Sequence, residues 1–144
     1  MSPIIYAGAA GIAAAGIMLF LSHVAPFAGA GRVVKDTDTM RLFGRQYSRR
    51  EAHVAGILVH IAASFCFGVL YAWSVSLGIV SGYGFWPLSA YALLLTIVVG
   101  GVLMPLEGHG LFGRKEDPWF AFDLLLANIG WVILFALIIR LLPV

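Results

Sequence analysis

Four long apolar runs fill most of the chain, and the charged residues fall almost wholly between them. The first run, Pro3 to Ala25, has Ser2 as a helix N-cap and Pro3 as the first helical residue, and Pro26 ends it. At about 1.5 Å per residue it reaches roughly 34 Å, enough to cross a bilayer. The second run opens on Ser48-Arg49-Arg50-Glu51, a capping box in which the serine side chain caps the helix and the glutamate reaches back. It continues to about Val80. Its length of roughly 48 Å exceeds the bilayer, so it is expected to tilt or to protrude. Ser81-Gly82-Tyr83-Gly84-Phe85-Trp86 is short and glycine-rich, which predicts an antiparallel hairpin of helices. The third run goes from Pro87 to Met104, where Pro105 ends or kinks it. Its straight part, roughly 27 Å, predicts an end slightly below the bilayer surface. The fourth opens at Asp117-Pro118, a cap followed by an N1 proline, and reaches Leu142. The pattern predicts a single all-α domain over 1–144, a polytopic integral membrane protein. It would be a bundle of four transmembrane helices with spans at about 3–25, 53–80, 87–106 and 118–142. The first run lacks a basic n-region and is long for an h-region. It therefore reads as a span rather than a signal peptide, although Ala28-Gly29-Ala30 has the form of a cleavage site.

Composition agrees with this reading. Hydrophobic residues make up 61% of the chain and charged residues 11%, against about 25% charged in soluble domains. Mean hydropathy is +0.96 and the pI is near 8.9. The positive charge has its origin in loop bias and not in nucleic-acid binding. Arg32, Lys35, Arg41, Arg45, Arg49 and Arg50 fall in the segment 27–52, and Arg114 and Lys115 in 107–117. The 81–86 turn has no Lys or Arg, and Arg140 near the C-terminus is alone on that side. The positive-inside rule then places both termini outside and both basic loops in the cytoplasm, in a plasma (inner) membrane. Tyr83, Phe85 and Trp86 are expected in an outer aromatic belt, and Trp119 and Phe120 in an inner one. In the first basic loop, Met40, Phe43 and Tyr47 recur at helical spacing with Arg41, Arg45 and Arg49 on another face. That fits a short interfacial helix on anionic lipid, with Gly44 against it; an irregular basic loop that only sets topology is the alternative. Cys66, the lone cysteine, lies in an apolar run and builds neither a disulfide nor a thiolate cluster.

On this topology the polar groups share one depth. His23, His53, His60, Glu107, His109, Asp123 and Asn128 all fall in the cytoplasmic half or at its interface. Ionisable groups in a span are costly and are functional-site candidates by default. His23, His53 and His60 are candidate cofactor ligands, for haem. His60, Glu107, His109 and Asp123 are candidate ligands for a divalent metal, since imidazole and carboxylate suit one. His53 and His60, two turns apart on one face, cannot both be axial ligands of one haem. No HExxH, CxxC or EF-hand spacing is present. The bland alternatives are histidines that hydrogen-bond across helices and, for Asp123, a first-turn acid at the helix dipole paired with Arg114 or Lys115. Glu107-Gly108-His109-Gly110-Leu111-Phe112-Gly113 sets an acid and an imidazole among three glycines and beside two large apolar residues. It reads either as the roof of a small site or as a tight turn with an apolar anchor.

Small residues mark helix contacts. Gly56, His60, Ser64, Gly68, Ala72 and Ser76 form an i, i+4 row on the second helix, and Ala7, Gly11 and Ala15 one on the first. Gly56, Ser64, Gly68 and Ala72 are the candidate packing residues, facing a neighbouring helix of this chain or of another subunit.

The Gly/Ala-rich first helix, Ala7 to Gly16 running into Met18, and the segment His60-x3-Ser64-Phe65-x-Phe67-Gly68-x2-Tyr71-Ala72 resemble the small uncharacterised inner-membrane proteins of the YagU-like type. The resemblance covers about the first half of the chain. It implies a small multi-pass inner-membrane protein and brings no activity, ligand or site residue.

Three functions fit the sequence. The leading one is a non-catalytic accessory or structural subunit of a larger membrane complex, packing its small-residue faces against other subunits or a second copy within the lipid bilayer. The second is a metal- or haem-binding electron-transfer or enzyme subunit using the cytoplasmic-side cluster. The third, a small proton or ion pathway, is disfavoured because the outer half offers no ionisable group for a relay.

Overall fold

The computed structural model describes residues 3–24, 41–42, 45–46, 48–115 and 118–142. Its main helical elements are α1 (Pro3–Val24), α2 (Arg49–Ser76), α3 (Phe85–Val98), a π-helical turn (Val99–Leu103), α4 (Met104–Leu106) and α5 (Phe120–Leu141). Four stretches, Pro3–Ser22, His53–Ser76, Phe85–Leu106 and Phe120–Leu141, are long and apolar enough to cross a membrane.

The ends of these helices follow from local chemistry. Ser48 and Glu51 form the capping box at the start of α2: the Ser48 side chain accepts from the Glu51 N–H, and the Ser48 N–H donates to the Glu51 carboxylate at 3.0 Å. The other end corrects the expectation of a helix to Val80. Gly78 takes φ +72, its N–H donates to the Val75 carbonyl and the Ile79 N–H to the Ser74 carbonyl. This 6→1 and 5→2 pair closes α2 at Ser76. The third span runs past Pro105, the residue expected to end or kink it. One π turn, with the Met104 N–H donating to the Val99 carbonyl, admits the proline ring, which in α register would meet the carbonyl four residues back. The whole stretch Phe85–Leu106 is then roughly 33 Å long, which is long enough to cross a hydrocarbon core of about 30 Å. The last helix begins at Phe120 behind Trp119; Pro118 lies in the preceding turn, and Asp117 lies outside the described residues. Arg41–Leu42 pairs antiparallel with Arg45–Gln46, so this stretch is a two-residue ladder and not an interfacial helix. Met40, Phe43, Gly44 and Tyr47 lie outside the described residues.

α1 is the hub. It packs on α2 and on α5, and α5 packs on α3. α1 and α2 run antiparallel and meet backbone to backbone. A Cβ on Gly68 would overlap the Ala7 carbonyl, and one on Gly11 would overlap the Ser64 carbonyl. Ser64 and Ala72 are buried beside them. The contact fades toward the ends of the row, since a Cβ on Gly56 would meet open space and Ser76 is exposed. The Trp131 Nε1–H of α5 donates to the Gly11 carbonyl (3.3 Å), and its ring stacks on Phe135 with centroids 5.2 Å apart. Phe135 and Tyr71 meet edge to face, and so do Tyr71 and Tyr91. Tyr91 of α3 donates its hydroxyl to the Phe67 carbonyl of α2 (2.7 Å). An aromatic chain thus ties all four long helices together near the 81–84 turn. Tyr83 leans into this cluster, against Tyr71 and Phe135, while Phe85, Trp86 and Trp119 are each more than 70% exposed. Phe120, expected in an aromatic belt, is buried against Gly113.

Gly68→Leu is expected to lower the unfolding temperature in detergent by several degrees, or to prevent folding, because the added side chain must push the α1 and α2 backbones apart. Leu70→Ala, at a half-exposed position, should change it far less. Equal tolerance in a thermal-unfolding assay contradicts the α1–α2 contact.

Candidate functional site

The best-formed polar feature is the connection from α4 to α5. Four residues within 108–113 have positive φ: Gly108 (88°), Gly110 (75°), Phe112 (53°) and Gly113 (68°). Gly108 closes α4 as Gly78 closes α2. Its N–H donates to the Pro105 carbonyl, and that of His109 to the Met104 carbonyl at 2.9 Å. Lys115 straps the loop. Its backbone N–H donates to the His109 carbonyl (3.2 Å), its ammonium to the Gly108 carbonyl (3.3 Å), and its stem lies over Gly110. The Phe112 ring fills the space that a Cβ on Gly100, in the π turn, would occupy, and Gly113 leaves room for Phe120.

This loop encloses Glu107 and His109. His109 is 2% exposed, and its Nε2 lies 3.9 Å from Glu107 Oε2. Burial pushes the Glu107 carboxyl above its ordinary value of 4.5, and the neighbouring imidazole works in the opposite direction. The 3.9 Å separation is an ion-pair contact and is longer than a hydrogen bond. Two side chains are too few to hold a metal.

The remaining candidates do not join this pair. Among the described residues, no three His, Cys, Asp or Glu side chains form a group able to hold a metal ion. The described residues do not assemble His60, Glu107, His109 and Asp123 into such a group; they place Glu107 beside His109. Sequence position gives depth along a helix, but depth alone does not bring helix faces together. His60 is half-buried on α2; its Nε2 is shut off from solvent and has no hydrogen-bond partner among the described residues. His53 is exposed near the start of α2, and the side chain of His23, in the last turn of α1, lies outside the described ones. Asp123 is half-buried in the first turn of α5, where its N–H donates to the Trp119 carbonyl. Asn128 does bridge helices. Its amide donates to Thr96 Oγ1 (3.1 Å), and Thr96 donates to the Ala92 carbonyl (2.8 Å). Sequence reasoning passes over Thr96; a hydroxyl inside the third apolar run at the depth of Asn128 is the clue to it.

No protein-family model, curated protein or solved structure matches the chain.

The raised pKa of Glu107 fixes a pH dependence. The folded chain holds this proton more tightly than the unfolded chain does. The associated stability is therefore fully present below 4.5 and is lost as pH rises through the raised folded value. Glu107→Gln keeps the shape and removes the titration. The variant is expected to lose less stability than wild type as pH is raised from about 4.5 toward neutrality. Thermal-unfolding curves that stay parallel for the two proteins over that range contradict the buried carboxyl.

Proposed function

We propose that this chain is a multi-pass integral membrane protein of the plasma (inner) membrane, with both termini outside and both basic loops cytoplasmic. We propose further that it is a non-catalytic accessory subunit that works by associating with other membrane subunits or with itself. The observation that carries the second step is the uneven cover of the helices. Only 17% of the α2 span is buried, against 28% to 39% for the other three. Leu58, Leu70 and Trp73 on α2 are each about half exposed or more. The small residues in the middle of the α2 row are occupied by α1, so the face left over is large, apolar and continuous along the helix. The YagU-like resemblance adds only the general class of small inner-membrane protein.

Orientation is tested by labelling single cysteines at Ser81 and Thr37 in a Cys66-free background with a membrane-impermeant maleimide applied from outside. Ser81 is expected to label and Thr37 to stay protected. Labelling of Thr37 alone reverses the assignment of sides.

Association is tested by placing a photoreactive amino acid at Leu58 or Leu70 on α2, and at Leu94 or Ile97 on α3, in native membranes. The α2 sites are expected to give an adduct of one defined polypeptide mass, and the α3 sites lipid adducts only. Lipid adducts at all four sites contradict the subunit reading. A stoichiometric metal or haem in the purified protein, lost in His60→Ala, supports the electron-transfer alternative instead.

A further inference from the structure

The two basic loops carry one pattern twice. Pro26-Phe27-Ala28-Gly29-Ala30-Gly31 precedes Leu42-Phe43-Gly44-Arg45, and Pro105-Leu106-Glu107-Gly108-His109-Gly110 precedes Leu111-Phe112-Gly113-Arg114. Each begins with a proline and an apolar residue, has glycines at the fourth and sixth places, and ends in Leu-Phe-Gly-Arg. The first loop differs by residues 32–41, inserted between the two parts. Each pattern joins a pair of helices that pack on one another, α1 with α2 and α3 with α5. The turn geometry recurs as well. Phe112 and Gly113 both have positive φ, 53° and 68°, and the Arg114 N–H donates to the Leu111 carbonyl at 3.2 Å. That is the form of a two-residue type I′ turn. In the first loop Leu42 pairs with Arg45 across the two residues between them, which is the register such a turn gives.

Several of the repeated residues have a reason inside the chain. Gly108, Gly110 and Gly113 supply positive φ, and Phe112 packs on Gly100. Leu111 and Arg114 are the exceptions. A type I′ turn makes no demand on the side chains at its two ends. Both residues are exposed, and the Arg114 side chain makes no hydrogen bond or ion pair among the described residues. Their recurrence at both turns points to a contact outside the chain. Leu106 and Trp119, on either side of the turn, are also exposed, where the third apolar stretch ends and the fourth is about to begin. Such groups belong at the boundary between acyl chains and headgroups. We propose that the chain is a tandem duplication of one helix–loop–helix unit, and that each Leu-Phe-Gly-Arg turn holds the phosphate of an anionic phospholipid. The arginine takes phosphate oxygens through its forked N–H donors, and the leucine enters the acyl boundary. Glu116 and Asp117 offset Arg114 and Lys115, so the attraction lies in the guanidinium fork and not in diffuse positive charge. The inference rests on the membrane reading proposed above.

Native mass spectrometry of the purified full chain in detergent, titrated with phosphatidylglycerol, counts the bound lipids. Wild type is expected to hold one lipid per turn. Arg45→Gln and Arg114→Gln should each lose one, and the double variant both. Arg114→Lys, which keeps the charge without the fork, should bind at that turn about tenfold more weakly than wild type. Arg50→Gln, at an exposed basic residue outside the pattern, should lose none. Excess inorganic phosphate, which has no acyl chain, should not displace the lipid. A photoreactive amino acid at Leu111 in native membranes should give a lipid adduct. Four results overturn the site. The double variant keeps both lipids; Arg50→Gln loses as much as Arg114→Gln, which means bulk charge; inorganic phosphate displaces the lipid, which means a simple anion site; or Leu111 gives a polypeptide adduct, which assigns the turn to a protein partner. Unequal effects of Arg45→Gln and Arg114→Gln overturn the equivalence of the two turns. The Ser81 and Thr37 labelling reports on the membrane reading separately. With Ser81 labelled and Thr37 protected, absence of bound lipid strikes the site alone; with both labelled from outside, the membrane reading falls and the site with it.

Discussion

At Gly11 the missing side chain lets the Ser64 backbone of α2 and the Trp131 ring of α5 reach the same turn of α1. Lipid offers helices little hydrophobic reason to associate, since acyl chains are as apolar as leucine. What remains is close packing and hydrogen bonding, and both are concentrated here. Gly68 opposite Ala7 extends the backbone contact one turn along α2. Trp131 carries the contact through Phe135 to Tyr71 and Tyr91, and so to α3. Without the approach at Gly11, Trp131 would lose its acceptor and the aromatic chain its first member.

The same constraint sets the use of polar groups. In the bilayer proposed for this chain, where no water is at hand, a hydroxyl or amide needs a partner in the protein. Tyr91 reaches the Phe67 carbonyl, Tyr71 that of Gly82, and Asn128 reaches Thr96. Ser22, Ser74 and Ser76 bond back to carbonyls of their own helices. The tyrosine and asparagine bonds tie helices and turns together, and the serine bonds stay within their own helices. The exception is the α4–α5 connection, where glycines let the backbone fold tightly over Glu107 and His109. Among the described residues, the hydrogen-bonded side chains of the apolar helices serve packing, His60 Nε2 is enclosed without a partner, and the Glu107–His109 pair sits beyond the end of the third apolar stretch.

How much of this is legible in the sequence depends on the range of each interaction. The four apolar runs, the Ser48–Glu51 capping box and the turn at 81–84 are local and can be read directly. So can the small-residue row, because a glycine at four-residue spacing announces a close contact, although the row does not say that the partner is α1 or that Gly56 lies beyond the contact. Hydropathy places the end of α2 four residues late because Gly78 stands inside an apolar stretch, which outweighs a single capping glycine. Pro105 reads as a break because a proline's local effect is a break; the π turn that admits it is seen only in the folded chain, where Phe112 packs on Gly100. The candidate cluster fails for a related reason. Sequence position gives depth along a helix axis, but which faces meet depends on how the helices turn toward one another, and that is decided by contacts such as Gly11–Ser64 that no period prescribes.

The most direct test of the three-helix junction is a comparison of Gly11→Ala with Gly16→Ala, two glycines in the interior of α1. Alanine favours a helix over glycine by about 1 kcal/mol, and at Gly16 the added methyl would meet open space. Gly16→Ala should therefore leave thermal stability in detergent unchanged or raise it. Gly11→Ala should lower it by several degrees despite the same gain in propensity, because the methyl must displace the Ser64 backbone. Equal or greater stability in Gly11→Ala would mean that the three helices do not meet at that turn.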